Sequence, residues 1–495
     1  MAIVDLTDLA SIISDSTSPE ELLRFKLPFY ELWIARGQDQ IQHVLSNPKI
    51  FDFEPMKSMV LQRMLDVSKK AISIASQDDS GVSSKAIPNS LITPDKRFNY
   101  LERKATHDFG RPSSHTAFVQ QFEKNLYQWV SESEITEEWV EFADLYIFVG
   151  DIVFQTTTDA FFGPHLLSQN PNLAEDFWSF DESIPFLLSG FPKIFNRQAV
   201  KVCARCIQAF RKWRLFALGG QKQACFLPEW NEKSGLKCMG LRNQAFKQFE
   251  EWDDNSCAAL NSNTVRATFW FLPETMQSED LSGGANKEVS KAINTAEHLS
   301  SFDSKKIINS PLLQSIYAET LRIYVSVLML RKTRQESKLG TWTVPSNIDV
   351  AVCNYTEHMN EKLWNPEGAR ESHPASTFWG RRFLKYPELK GPGKDHHEKE
   401  SSEKPSETNQ SEPAPVFSTQ GLSCRWFPYG SGERMCPGRH FAKHQILLTF
   451  AVLSSSFDIE LQVVDGWKPK PDLKHFGYGV MPPDTQTPFR IRRRL

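Results

Sequence analysis

No long block of lysines and arginines interrupts this 495-residue chain, whose formal net charge is −3. Without a basic stripe the electrostatic footprint of a nucleic-acid-binding protein is missing, and a small-molecule role gains weight. A long apolar run at the start is missing too. The opening "MAIVDLTDLASIISDSTSPEELL" sets Val4, Leu6, Leu9, Ile12 and Ile13 on a helical stripe, but Asp5, Asp8 and Asp15 interleave it and no basic start precedes it. It falls short of the ~20 apolar residues of a spanning helix and reads as neither anchor nor signal peptide. An amphipathic surface helix packed on the body is expected, because acidic residues oppose binding to anionic lipid. Cysteine is sparse: eight residues (203, 206, 225, 238, 257, 353, 424 and 436) are scattered along the chain. That is a set of reduced thiols, not the dense framework of a small secreted scaffold. Cys203 and Cys206 form a CxxC, but no second pair follows at zinc-ribbon spacing, and "AVKVCARCIQAFRKW" has helical periodicity, so ordinary helix cysteines are expected. There is no internal repeat. Gly430 and Gly432 give a G-x-G with Met435 at the third glycine position and no strand leading in, which excludes a dinucleotide fingerprint.

What is present is an ordinary globular composition, 40% hydrophobic and 24% charged, long enough for one large core or two or three domains. "HTAFVQQFEKNLYQWVSES", "NLAEDFWSFDESIPFLL" and "SPLLQSIYAETLRIYVSVLML" repeat apolar residues every three or four positions, as helices do. Strand-like runs are fewer: "FYELWIARG", "GTWTVPSNIDVAVCNY" and "TPFRIRRRL". The expected fold class is mainly α with small β-sheets, in one domain over 1–495. Residues 386–420, rich in Pro, Ser, Glu and Lys, have little to bury and are expected to form an exposed, disordered insertion within that domain. The stretch 277–291, "QSEDLSGGANKEVSK", is expected to interrupt two helical segments.

The chemistry concentrates in "YGSGERMCPGRHFAKH", 429–444. Glycines in Tyr429-Gly430-Ser431-Gly432 let a flat object approach the main chain. Cys436 stands just before "RHFAKHQILLTFAVLSSSF", apolar on most sides from Phe441 to Leu453. The unpaired amides and dipole of a helix start stabilise an anion, so this thiol is placed to be a thiolate nucleophile or metal ligand, against the plainer reading of a small buried hydrophobe. A cysteine hydrolase needs an imidazole base, and His440 and His444 point away from the loop on the helix. A redox thiol needs a close resolving cysteine, and Cys424 is too far along the chain. An axial ligand to an iron porphyrin needs a thiolate, a glycine loop lying flat on the ring and a cation near the ring's carboxylates. Arg434 supplies the last.

"FPYGSGERMCPG", Phe427 to Gly438, resembles the cysteine-loop signature of the cytochrome P-450 superfamily, an aromatic residue followed by G-x-G-x-R-x-C-x-G, here Tyr429, Gly430, Gly432, Arg434, Cys436 and Gly438. "ETLR", Glu319 to Arg322, looks like the family's buried E-x-x-R; at i and i+3 the charges share a helix face, Ser310-Pro311 caps and starts that helix, and Leu312, Leu313, Ile316, Leu321, Ile323 and Val325 bury it. Arg382 and Phe383 in "STFWGRRFLK" match the later arginine-aromatic element, and Arg331 in "LMLRKT" stands where members hold a haem propionate. "GYGVMPPDTQTPFRIRRRL" looks like the usual closing strands, and the resemblance covers essentially the whole chain, most weakly before residue 100. "GPHLLSQNPNLAEDFWSFDESIPFLLSGFPKIF" and "SNTVRATFWFL" are similar to the branch with sterol 7-alpha-hydroxylases, prostacyclin synthase and fungal biosynthetic members.

The resemblance implies a cytochrome P-450 fold, a triangular helical body holding haem b (iron protoporphyrin IX) between a distal helix and the cysteine loop. It implies Cys436 as axial thiolate, Tyr429, Gly430, Gly432, Arg434, Arg331 and Gly438 around the haem, and Glu319, Arg322 and Arg382 as a structural network. The implied activity is monooxygenation of a lipophilic secondary metabolite such as a terpenoid, steroid or alkaloid, with electrons from an NADPH–cytochrome reductase docking near Arg425, Arg439 and Lys443. The abundant aromatics, 35 Phe and 13 Trp, suit an apolar pocket, although most must be core.

Two departures follow. The distal helix of the family carries a glycine, an acid and a threonine; here Asn263, Val265 and Arg266 stand at those places, so the usual proton relay is missing and Asn263, Thr264 and Arg266 are the candidate distal residues. That leaves room for an isomerase or dehydratase using no dioxygen, or a non-catalytic member. The N-terminal anchor of eukaryotic members is not visible, implying a shortened N-terminus or attachment by another surface, at the cytosolic face of the endoplasmic reticulum or in the cytoplasm. "IPFLLSGFPKIF", 184–195, either dips into a bilayer or lines the substrate entrance.

Overall fold

The computed structural model describes residues 21–27, 30–219, 224–247, 249, 262–276, 278–294, 301–366, 371–386, 414–463 and 468–494. The N-terminal stripe at 4–13, Cys257 and residues 387–413 of the expected insertion lie outside them.

The elements that build the site are, in chain order, β1 (Leu23–Leu27), β2 (Tyr30–Ala35), β3 (Phe51–Asp52), α1 (Glu54–Met64), α2 (Phe98–Phe109), α3 (Pro112–Glu132), β4 (Val140–Phe142), α4 (Leu145–Phe162), α5 (Leu173–Glu182), α6 (Ile184–Ser189), α7 (Arg197–Leu218), α8 (Ser262–Met276), α9 (Glu279–Ser290), α10 (Pro311–Tyr324), β5 (Val325–Thr333), β6 (Asp349–Cys353), β7 (Leu384–Lys385), β8 (Val416–Phe417), α11 (Arg439–Ser456), β9 (Phe457–Leu461), β10 (Tyr478–Val480) and β11 (Phe489–Arg493). The principal sheet runs β1-β2-β6-β5-β10, with β3 also on β5; β6 is parallel to β2 and the other pairs are antiparallel. A second sheet, β9-β11-β4, closes the C-terminal end.

α11 is apolar around most of its surface because it is enclosed: Ile446, Leu447, Leu448, Ala451, Val452 and Leu453 are all at most 1% exposed. α8 lies against it through Phe271 and Phe450, ring centroids 5.0 Å apart. α4 packs on α8 as well, where Val265 sits close to Gly150, and bonds α11 through Gln445 Nε2 to the Thr157 hydroxyl. Cys203 and Cys206 are buried one turn apart on α7.

Four expectations need correction. The stretch 277–291 is not an interruption: Ser278 caps α9 by accepting the Leu281 amide, and Leu281, Ala285 and Val289 recur every fourth residue on its buried face. The helical reading of "SPLLQSIYAETLRIYVSVLML" runs too far, since the chain turns at Tyr324 into β5, whose Val325 and Val327 pair with β10. Ser310 precedes α10 but does not cap it with its side chain; its hydroxyl bonds Lys306 O, and the carboxylate of Glu288 accepts the free amides of Leu312 and Leu313 at 3.0 and 2.9 Å. The far end of 386–420 folds back, with Val416 and Phe417 paired to Lys385 and Leu384.

Candidate active site

The loop before α11 is fastened by three attachments, two to α10 and one to His358 beyond it. Trp426 Nε1 donates to Ala318 O at 3.1 Å, the Phe427 amide donates to His358 Nε2 at 3.2 Å, and the Tyr429 and Tyr317 hydroxyls are 2.7 Å apart. Gly430 and Gly432 then adopt φ of 73° and 69°, a region side chains disfavour, and turn the chain so that the Cys436 amide meets Tyr429 O at 2.9 Å. Beside this turn a hollow of about 680 Å³ opens between Arg434, Met435 and Pro437 of the loop and Glu54, Glu102 and Arg103 on α1 and α2. Its volume is that of a small-molecule pocket.

Cys436 lies between two of the lining residues, and its side chain is accessible. Yet protein crowds it closely enough that burial pushes the thiol pKa up, outweighing the Gly438 and Arg439 amides and the Arg439 charge, which draw it down. The helix start alone therefore does not make this sulfur a thiolate, as the position before α11 suggested. A coordinated metal ion deprotonates such a thiol outright.

The cations beside the loop fit a ligand with carboxylates. Arg331 and Arg434 both lie over the Phe53 ring, 4.9 and 5.3 Å from its centroid. Arg434 is paired with Glu54 at 2.7 Å. Arg331 is 8% exposed and donates to the neighbouring Leu330 O at 2.8 Å. Burial first, then the Arg434 charge, lower its pKa. Two converging guanidiniums, one of them buried without an ion-pair partner among the described residues, leave an unmet demand for negative charge. An accessible thiol, a glycine turn and these cations together fit an iron porphyrin: Cys436 would hold the metal, and Arg331 and Arg434 the carboxylates.

Beneath the loop, Glu319 and Arg322 form a two-pronged ion pair of 2.7 and 2.8 Å with both side chains fully buried. Glu319 also accepts from Arg382 Nε and the Trp379 amide, each at 3.0 Å. Arg322 Nη1 donates to His358 O and Ala375 O at 2.6 and 2.7 Å. Four of the five Arg322 N–H donors and both Glu319 oxygens are thereby used, the condition under which a buried ion pair is tolerable.

On α8, Asn263 Oδ1 accepts the Val480 amide at 2.8 Å, and Thr264 O accepts the Thr268 hydroxyl at 2.8 Å. Arg266 pairs with Asp181 of α5 and donates to Val480 O at 3.0 Å, both ion-pair side chains being 4% exposed. The three candidate distal residues thus lie within one turn of a helix packed against α11, and their hydrogen bonds go to β10, α5 and α8 itself. The sequence reading missed Asp181, whose signal is its place on the apolar stripe Leu173, Phe177 and Phe180 of α5. It also missed Phe53 and His358, which carry no motif. The suggested docking cations are engaged: Arg425 bonds Gln38, Arg439 bonds Cys436 O, and Lys443 bonds Gln314 with its pKa pushed down to about 8 by burial.

Comparison with known proteins returns the cytochrome P450 family over residues 258–386 and 395–489. The chain is 34% identical over 378 residues to the cytochrome P450 monooxygenase fsoE of Humicola fuscoatra, covering 72% of this chain and 63% of that protein. It is 33% identical over 386 residues to efuG of Hormonema carpetanum, covering 73% and 66%. It is 27% identical over 247 residues to cytochrome P450 7A1 of Sus scrofa, covering 47% and 43%. The chain spans less than two thirds of the length of each of these relatives. Fungal monooxygenases and a 7A1-type enzyme are thus its kin, members of this family bind haem through a cysteine thiolate, and with the helical body, the Glu319–Arg322–Arg382 network and the glycine-turned cysteine loop in place the chain belongs to the cytochrome P450 family.

Proposed function

We propose that this chain is a haem-thiolate monooxygenase that hydroxylates, or otherwise oxidises, a neutral lipophilic small molecule of secondary metabolism such as a terpenoid, steroid or alkaloid. The observation that carries the reading is Cys436: an accessible thiol at the turn of a glycine loop, beside a hollow lined by Arg434, with the buried Arg331 next to Arg434 at the Phe53 ring. Bound there, haem supplies dioxygen activation at its iron. The protein's share is to hold the sulfur through Trp426, Phe427 and Tyr429, to neutralise the ring's carboxylates, and to shape the distal side.

The distal side supports a neutral substrate. Arg266 is the cation at the family's threonine position, and Asp181 already neutralises it within the protein. Asn263 and Thr264 are left to order a water that carries protons. Apolar side chains at 184–195 support peripheral attachment to the cytosolic face of the endoplasmic reticulum, Ile194 being 68% and Phe195 71% exposed. Among the described residues no helix is long and apolar enough to cross a membrane. An NADPH–cytochrome reductase is the electron donor in this reading.

Cys436→Ala should abolish the long-wavelength carbonyl band of the reduced protein, and an unchanged band would remove the assignment. Product formation should require both reductase and dioxygen. Turnover without either would instead support the isomerase or dehydratase suggested by the missing acid–threonine pair. A non-catalytic protein would load haem and form no product under any condition.

A further inference from the structure

His358 connects two motifs that are far apart in the chain. Its Nε2 is 3.2 Å from the Phe427 amide, and its Nδ1 is 3.1 Å from Arg322 O. A backbone amide can only donate, so Nε2 must present its lone pair and Nδ1 must carry the proton, which it donates to the Arg322 carbonyl. In return Arg322 Nη1 donates to His358 O at 2.6 Å, so the two residues are bonded in both directions. The ring is fully buried and lies edge-on to Phe427, centroids 5.8 Å apart. Burial and the Arg322 charge hold it neutral, its pKa pulled down to about 3.

Phe427 begins the path to the sulfur. Its carbonyl accepts the Gly430 amide at 3.0 Å, and the next link is the Cys436 amide on Tyr429 O at 2.9 Å. The bonds therefore run without a gap from the Glu319–Arg322 pair through His358 to the turn that carries Cys436.

We propose that His358 is a positioning residue for Cys436: as the Nδ1–H tautomer it fastens the first amide of the cysteine loop to Arg322 and so sets the depth at which the sulfur meets a bound haem. The proposal rests on the reading of Cys436 as axial thiolate. Trp426 and Tyr429 remain attached to α10 without it, so loss of His358 should let the loop shift without detaching it.

The test compares holoprotein of His358→Phe, which keeps a flat ring and removes both bonds, with His358→Gln, which keeps an acceptor for Phe427 and a donor for Arg322 O. The readouts are haem content, thermal midpoint, haem reduction potential, and the division of the carbonyl spectrum between the long-wavelength thiolate band and the short-wavelength band of a neutral thiol. His358→Phe should lower the ratio of thiolate to thiol band several-fold and shift the potential, and His358→Gln should restore most of both. If His358→Phe fails to load haem, His358→Gln decides: a parental band supports the link and the same failure overturns it. Equal losses of thermal midpoint in the two variants with parental band ratios and potentials would show a purely structural residue and overturn the proposal. A parent protein lacking the long-wavelength band would overturn the Cys436 reading itself, an outcome distinct from any of these.

Discussion

Arg266 on α8 and Asp181 on α5 form a buried ion pair, each side chain 4% exposed, at the point where a family member usually places the distal threonine. The pair fastens α5 to α8, and Arg266 extends the tie to β10 through Val480 O. His475 lies near enough that the Arg266 charge adds to burial in holding its pKa down to about 4. A guanidinium here has therefore been absorbed into the protein's own structure and is not offered to a ligand.

Removing Asp181 should cost far more than removing the pair. Asp181→Leu leaves a buried cation without a carboxylate, an effect of about 3–5 kcal/mol, whereas adding Arg266→Met to it should recover most of that loss. Denaturant unfolding of the four proteins in a double-mutant cycle measures it. Strictly additive losses would mean that the two side chains do not act on each other.

The Glu319–Arg322 pair predicts a loss of the same order, for the same reason. Glu319→Ala strands Arg322, and Arg322→Ala strands a carboxylate that is fully buried; each should destabilise by about 3–5 kcal/mol and yield little haem-loaded protein. The ratio of haem to protein absorbance after purification tests this, and parental loading in either variant would contradict the burial.

The cysteine loop, the E-x-x-R pair and the arginine at 382 were legible because each is a local spacing with one chemical purpose. The apolar girth of α11 was legible for a similar reason, since burial on all sides leaves its mark on every residue. What escaped the sequence depends on contacts between distant segments. Glu288 capping α10, Phe53 lying under two arginines and His358 reaching Phe427 are each set by tertiary approach. The turn from α10 into β5 was hidden because a fully buried strand and a buried helix have the same apolar composition, and only β-branched Val325 and Val327 hinted at the change. α9 was missed for the opposite reason: two glycines and many polar residues masked a stripe of only three apolar positions.

Arg331 should behave oppositely with and without haem. Its buried guanidinium makes no direct ion pair among the described residues, Asp52 offsets burial only in part, and Arg434 adds repulsion. Arg331→Met should therefore leave the haem-free protein as stable as the parent or more so, while speeding haem loss to apomyoglobin about 10- to 100-fold, as expected from losing a charge-assisted bond of about 1.5–3 kcal/mol. Equal haem-loss rates would show that this cation does not face the ring's carboxylates.

The last prediction concerns pH and the carboxyl of Asp159 on α4. Burial raises its pKa to about 6, and its Oδ1 has no hydrogen-bond partner. An unfolded aspartate titrates near 4, so between about pH 4 and 6 the folded protein binds the extra proton. The contribution is consequently full below pH ~4 and is lost as the pH rises through 6, after which the charged, buried carboxylate opposes folding by up to about 3 kcal/mol. Buried His475 and His444, both held down to about 4 chiefly by burial, slope the other way: their contribution is present above the ordinary histidine range and is lost as the pH falls through about 4. Those terms are common to parent and variant and cancel in the difference. Asp159→Asn, which keeps the shape and cannot ionise, should match the parent near pH 4 and exceed it by as much as ~3 kcal/mol at pH 7 and above. Urea unfolding across that range measures the difference, and a gap that stays constant with pH would show that this carboxyl does not titrate between 4 and 6.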